Sequence, residues 1–157
     1  MRLQDKVIIV TGSTTGIGKA IAMACVSEGA KVIIHGLEKD WGEGVLTAIG
    51  NDNAALHIED LVAEGAAQRL VDVAINTFGK LDAVVNNAAA VVSSNIHSTD
   101  LTFFRKVLEI NTIAPFALIK AALPQLRKTR GCILNIGSVN AWSGEPNLLP
   151  YSVSKGA

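Results

Sequence analysis

The chain has 157 residues, 49% of them apolar and 18% charged, which suits one domain with a real core and is short for two. Its 14 basic residues equal its 14 acidic ones, so no long-range field exists to collect nucleic acid or an acidic membrane surface. Cys25 and Cys132 lack Cys-x-x-Cys spacing and His35, His57 and His97 are scattered singly, which excludes a disulfide frame or metal-ligand set and leaves both thiols as expected buried side chains of a reducing compartment.

In chain order, the first element is Val7–Val10, a β-branched run of four residues. It is too short for a signal-peptide core or a membrane span, and the protein is expected in the cytoplasm. Similar runs follow at Val32–Ile34, Ala83–Val85 and Ile133–Ile136, with a weaker one at Ala54–Ile58. Runs apolar on both faces predict strands of a parallel sheet covered by helices on each side. Between them Ile17, Ile21, Ala24 and Cys25 mark one helical stripe, and Leu70, Val71, Ala74 and Phe78 another that ends at Gly79. A longer helical segment runs from about Asp100 to Arg127, where Arg127, Lys128 and Arg130 complement the helix dipole. The alternation predicts a doubly wound, Rossmann-like α/β fold with a parallel sheet and right-handed crossovers. No repeat or linker interrupts it, so residues 1–157 read as a single domain.

Thr11-Gly12-Ser13-Thr14-Thr15-Gly16-Ile17-Gly18 joins the first strand to the first helix, where backbone amides and the helix dipole can hold a pyrophosphate. A triphosphatase loop is excluded, because Ser13 and Ala20 stand where that pattern needs Gly and Ser or Thr. Alone, the turn is as compatible with a structural role as with a ligand. Further along, Asn86-Asn87-Ala88-Ala89 follows the fourth strand and Ser138 the fifth. Tyr151-Ser152-Val153-Ser154-Lys155 then places a phenol and an ammonium four apart on one helix face. A phenol titrates near ~10, and a neighbouring cation favours the ionised form that acid–base catalysis needs.

These motifs together resemble the short-chain dehydrogenase/reductase family, from the first strand to the last residue. The resemblance implies that NAD or NADP lies on Gly12, Ser13, Thr14, Thr15, Gly16, Ile17 and Gly18, with Asp60 and Leu61 at its adenine end. It implies that Asn87 and Ala88 line the cofactor cleft and that Tyr151 and Lys155 also reach the nicotinamide ribose. Asn111, Ser138, Tyr151 and Lys155 match the catalytic set, in which Ser138 polarises the substrate oxygen and Tyr151 is the general acid or base. Gly36 stands where NAD-specific members carry Asp, and Leu37 where many NADP-specific members carry Arg. Lacking an arginine fork, the ribose corner favours NAD, with Lys39 and His35 as the residues able to reverse this. Pro115 has no N–H, so the Asn111 carbonyl is expected to lose its helical partner and hold a water that links Lys155 to solvent.

The expected reaction interconverts a secondary alcohol and a carbonyl by hydride transfer. The implied partner is a small-molecule alcohol or carbonyl substrate, with no nucleic acid, no membrane and no metal. The pocket is expected along Ala90–Asn95 and Val139–Pro150, with Trp142, Asn147 and Leu148 as contacts. A homo-oligomer is implied for a full-length form, through the helices of Asn111 and Tyr151. The family fold has further strands and helices after the catalytic helix, so the fifth strand is expected as an open edge. These 157 residues alone are expected to be poorly stable and nearly inactive. The competing readings are a non-catalytic dinucleotide-binding module, which does not need an intact Ser138, Tyr151 and Lys155, and a partner-dependent subunit that takes its missing elements from a partner.

Overall fold

All four residues of β1 (Val7–Val10) are buried, because the strand lies mid-sheet with helices on both sides. The computed structural model describes Met1–Ala157 throughout. The remaining strands are β2 (Lys31–Gly36), β3 (Ala54–Ile58), β4 (Ala83–Asn86) and β5 (Cys132–Asn135). All pairings are parallel and the order is β3-β2-β1-β4-β5. Ile9 lies between Ile33 of β2 and Val84 of β4, and Val10 between Ile34 and Val85. The order reverses at the β1–β4 seam, and ligands of open α/β sheets bind beyond the strand ends at such a point.

Strand residues alternate between faces, which divides the core. Val7, Ile9, Ile33 and Val84 face Leu70 and Val71 of α3 (Ala66–Phe78) and Leu118 and Leu126 of α5 (Ala114–Thr129). Ile8, Val10, Val32 and Val85 face Ala22 of α1 (Gly16–Ser27). Ile34 and Ala54 meet Val45 of α2 (Lys39–Ile49). The predicted doubly wound α/β fold is therefore present.

Two expectations need correction, and one helix was not foreseen. The buried stripe of α1 runs through Gly18, Ile21, Ala22, Cys25 and Val26, whereas Ile17 is 68% exposed and Ala24 is exposed. Helix α2 escaped the pattern because Gly42 and Gly44 are poor helix formers and Trp41 points outward. Gly42 is there for proximity: a Cβ on it would lie 2.6 Å from Leu56 of β3. Cys132 is exposed, since every residue of the edge strand β5 is exposed; Cys25 is half-buried, and burial pushes its thiol pKa up.

Asp100 begins α4 (Leu101–Leu108) by accepting a hydrogen bond from the Phe103 amide at 2.8 Å. A π-helical turn at Glu109–Ile113 joins α4 to α5, giving one helix from Leu101 to Thr129. By length and composition this helix is apolar enough to cross a membrane. Its buried stripe is Val107, Ala114, Leu118, Ala122 and Leu126, of which the last three pack with α3 and the sheet. Arg127 and Lys128 occupy its last turn as expected, and Arg130 ends it in a left-handed conformation. A last helix, α6 (Leu149–Gly156), follows a 3-10 turn at Val139–Ala141.

Asp82 pins the N-terminal ends of β1 and β4. Its buried carboxylate accepts the Val7 amide at 2.9 Å and ammonium groups from Lys80 at 3.0 Å and Lys6 at 3.3 Å. Burial opposes ionisation, but these donors outweigh it and hold the carboxyl below the usual range. Its contribution is thus present above the unfolded value near ~4 and fades as pH falls through the lower folded value. Asp82→Ala leaves the Val7 amide buried and unpaired, and is expected to cost about 2 kcal/mol in a denaturant titration with unchanged slope. An unmoved midpoint would contradict this role.

Candidate active site

The glycine turn leaves β1 at Thr11, and a compact polar joint fixes it there. Thr11 Oγ1 donates to the Val85 carbonyl at 3.3 Å and accepts the Asn87 and Ala88 amides, each at 3.0 Å. The Asn87 side chain donates to the Thr11 and Gly12 carbonyls at 2.8 and 3.2 Å. Gly12 has φ +63°, a conformation that other residues rarely adopt. At Gly18 a Cβ would come 2.5 Å from the Asn87 amide nitrogen, so α1 begins flush against the joint.

Thr15, Gly16 and Ile17 lie exposed at the start of α1, whose first turn contains no acidic residue and whose N-cap Thr15 makes no side-chain cap. Free helix N–H groups at a strand-order reversal suit a phosphate. Ser13 and Thr14 are buried instead. The Ser13 hydroxyl donates to the Val10 carbonyl at 2.6 Å and accepts the His35 amide at 3.0 Å. The Thr14 side chain fills the space beside Gly36, where a Cβ would lie 2.5 Å from both Thr14 Cγ2 and Oγ1. Ala88 packs on Gly12, and Ala89 has no positive φ, so alanine there is unstrained.

At the ends of β2 and β3, Leu37 is 61% exposed and Asp60 is exposed, its carboxylate accepting the Val62 amide at 3.2 Å. Leu61 is half-buried against the core. Lys39 faces Glu43 at 3.5 Å with its side chain 73% exposed, and His35 is buried.

Tyr151 and Lys155 share one face of α6, with the ammonium 5.8 Å from the phenol ring centre. Lys155 Nζ donates to the Ile136 carbonyl at 2.7 Å, just beyond β5, and burial lowers its pKa. Ser138 opens the 3-10 turn that packs on α6, and its Oγ accepts the Asn140 amide at 3.2 Å. Asn111 sits buried in the π-helical turn, just before Pro115. Its Oδ1 accepts the Ala90 amide at 2.7 Å, and its Nδ2 donates to the Ala90 carbonyl at 3.0 Å and to Ser154 Oγ at 2.9 Å. Ser154 Oγ in turn donates to the Tyr151 carbonyl at 2.7 Å. The Asn111 side chain thus locks the loop after β4 to the helix carrying Tyr151 and Lys155.

Two participants escaped the sequence reading. Ser154 lay hidden inside the Tyr-x3-Lys motif, and Asn135 accepts a hydrogen bond from Asn86 Nδ2 at 2.8 Å. An asparagine ending each of two neighbouring strands was the available signal. Asn86 Oδ1 is buried without a partner at a cavity of ≈ 240 Å³ also lined by Asn111, Asn135, Ser154 and Lys155. The expected pocket segments meet in a parallel bridge between Ser94 and Leu148, with Ser94 N–H on the Asn147 carbonyl at 2.8 Å. Trp142 is 92% exposed, Asn147 exposed and Leu148 partly buried.

The joint at Thr11 makes a direct stability prediction. Thr11→Val removes the acceptor of two amides and is expected to cost about 2 kcal/mol, while Thr11→Ser keeps most of the stability. Equal unfolding midpoints for the two variants would count against the joint.

Comparison with known proteins identifies relatives of this fold. The short chain dehydrogenase profile matches residues 6–157. An NADP-dependent (R)-specific alcohol dehydrogenase of Lentilactobacillus kefiri is 38% identical over 160 residues, covering 99% of this chain and 63% of the relative. L-fucose dehydrogenase of Mus musculus is 38% identical over 157 residues, covering 99% and 57%. The crystal structure of a short-chain dehydrogenase/reductase of unknown function from Caenorhabditis elegans, with cofactor, superposes with TM-score 0.93 at 28% identity, covering 99% of this chain and 61% of that one. The chain thus spans about three-fifths of the length of these relatives. With the profile matching nearly its whole length, the chain belongs to the short-chain dehydrogenase/reductase family.

Proposed function

We propose that the protein interconverts a small secondary alcohol and its carbonyl compound at the C-terminal edge of the sheet, with Tyr151 as general acid–base. The observation that carries this reading is the pairing of Tyr151 and Lys155 on one face of α6, anchored through Ser154 to Asn111. A nicotinamide dinucleotide bound along the β1–β4 seam supplies the hydride acceptor or donor. The residues present fit such a group: the start of α1 is uncapped and free of acid, and Gly18 leaves no side chain between helix and turn.

In the oxidative direction the Tyr151 phenolate oxygen takes the hydroxyl proton of the alcohol as hydride leaves its carbon. In reduction the phenol returns that proton to the carbonyl oxygen. The Lys155 ammonium stands beside the Tyr151 ring, and its contact with the Ile136 carbonyl fixes where that charge lies relative to the reacting oxygen. Ser138 Oγ donates to the substrate oxygen as negative charge develops on it. The Asn111 carbonyl, ahead of the N–H-less Pro115, holds a water that connects Lys155 to solvent. The same reading takes NAD as coenzyme, because Leu37 and buried His35 offer no cation to a 2′-phosphate and the Lys39 ammonium is partly offset by Glu43.

Tyr151→Phe in the full-length protein is expected to lower turnover by roughly 10²–10⁴-fold. Coenzyme affinity should change by less than about tenfold, 1.4 kcal/mol. Unreduced turnover would overturn the acid–base role, and coenzyme binding without turnover in the wild type would favour a binding module.

Coenzyme choice gives a second test. NAD should exceed NADP in kcat/KM by about tenfold or more. Gly36→Asp alone should weaken NAD binding, because the new Cβ meets Thr14 at 2.5 Å. Adding Thr14→Ala should restore binding and sharpen NAD preference. A single Gly36→Asp variant that binds NAD more tightly would contradict this steric account.

A further inference from the structure

We infer that His35 is a positioning residue for the dinucleotide, a neutral strut that holds the glycine turn and the adenosine-side loop in register through its two ring nitrogens. The inference rests on the proposed coenzyme role of the turn. His35 lies in β2 and is 3% exposed. Its Nε2 is 3.0 Å from the Glu59 carbonyl, which can only accept, so Nε2 carries the proton. Nδ1 is then the acceptor, and the Gly12 amide donates to it at 3.4 Å. Both ring nitrogens are used, in one tautomer.

The backbone of His35 repeats the connection. The Ser13 amide donates to the His35 carbonyl at 2.8 Å, and the His35 amide donates to Ser13 Oγ at 3.0 Å. Three hydrogen bonds therefore join one strand residue to Gly12 and Ser13. The fourth reaches Glu59, the neighbour of Asp60. The Gly12 and Ser13 amides are turned inward to β2 and fixed there, which sets the direction of the amides that follow at the start of α1.

The far side of the strut is itself anchored. The Glu59 carboxylate accepts from Arg69 of α3 at 2.5 Å and lies 2.9 Å from His57 Nε2. The titratable groups facing His35 are His57 of β3, with ring centres 6.3 Å apart, and Glu59 and Asp60 beyond β3. The turn of residues 11–18 contributes no charge. An imidazolium would aim a second donor at the Gly12 amide. Burial opposes that form and lowers the pKa to about 4, so the ring stays neutral at physiological pH.

His35→Leu removes both ring contacts and leaves the Gly12 amide and Glu59 carbonyl without their partner. His35→Asn keeps an acceptor near the Nδ1 position. Calorimetric titration of the full-length protein with NAD at pH 7 should show about a tenfold weaker Kd for His35→Leu and within about threefold of wild type for His35→Asn. In steady state, KM for the coenzyme should rise while kcat holds.

Two measurements keep the test decisive if His35→Leu does not fold. Nitrogen NMR of the wild type should show the Nε2–H tautomer, still neutral at pH 5. Wild-type stability should fall as pH drops from 6.5 towards 4, because unfolded histidine takes a proton that folded His35 refuses; His35→Asn should lose part of that slope. A folded His35→Leu variant with wild-type NAD affinity, or an Nδ1–H tautomer, overturns the inference alone. A wild type without affinity for NAD overturns the coenzyme reading, and the inference with it.

Discussion

The structure depends on the parting of β1 and β4 beyond their last shared hydrogen bonds. At that seam the chain must turn sharply twice, into α1 and into the loop after β4, without leaving buried backbone polar groups unpaired. Thr11 and Asn87 meet the requirement reciprocally. One hydroxyl takes two amides and one carboxamide serves two carbonyls. Because the partners are side chains rather than a continuing ladder, the strands can separate and open a crevice. Gly12 and Gly18 then let α1 start against the crevice wall.

The far wall of that crevice is made by the helix from Leu101 to Thr129 and by α6. A π-helical turn is costly in a long helix and is found most often at functional positions. Here it sits at Asn111, whose carboxamide reaches the loop after β4 and Ser154 at once. The backbone of α6 at Tyr151 is therefore tied through Ser154 to Asn111. The same arrangement leaves Asn86, Asn135 and Lys155 around one polar cavity, where the unpartnered Asn86 Oδ1 marks a place fit for water.

Local patterns made much of this legible. Parallel strands buried on both faces read as β-branched runs, and the fold class followed from their alternation with helices. The Tyr-x3-Lys spacing was readable because helical periodicity alone brings residues four apart together. What escaped depends on distant partners. Helix α2 forms despite Gly42 and Gly44 because Val45 packs on Ile34 and Ala54, with Gly42 lying close to Leu56 of β3. Ile17 fits the helical period of α1 yet stands outside the core, at the exposed start of the helix beside Thr15 and Gly16. The contacts Asn111–Ser154 and Asn86–Asn135 join residues 43 and 49 positions apart, and only the asparagine at the end of each of two strands hinted at the second. Cys132 has an apolar neighbourhood in sequence, but it lies on the edge strand and is exposed.

The central claim is that hydride passes between a substrate carbon and a nicotinamide held in this crevice. Its most direct test is isotope transfer by the full-length protein. Secondary alcohols deuterated at the carbinol carbon would be incubated with oxidised NAD, and the reduced coenzyme examined by proton NMR. The account predicts deuterium at C4 of the nicotinamide, on one face of the ring. Deuterium washed into solvent, or oxidation of the alcohol with no label on the coenzyme, would contradict it.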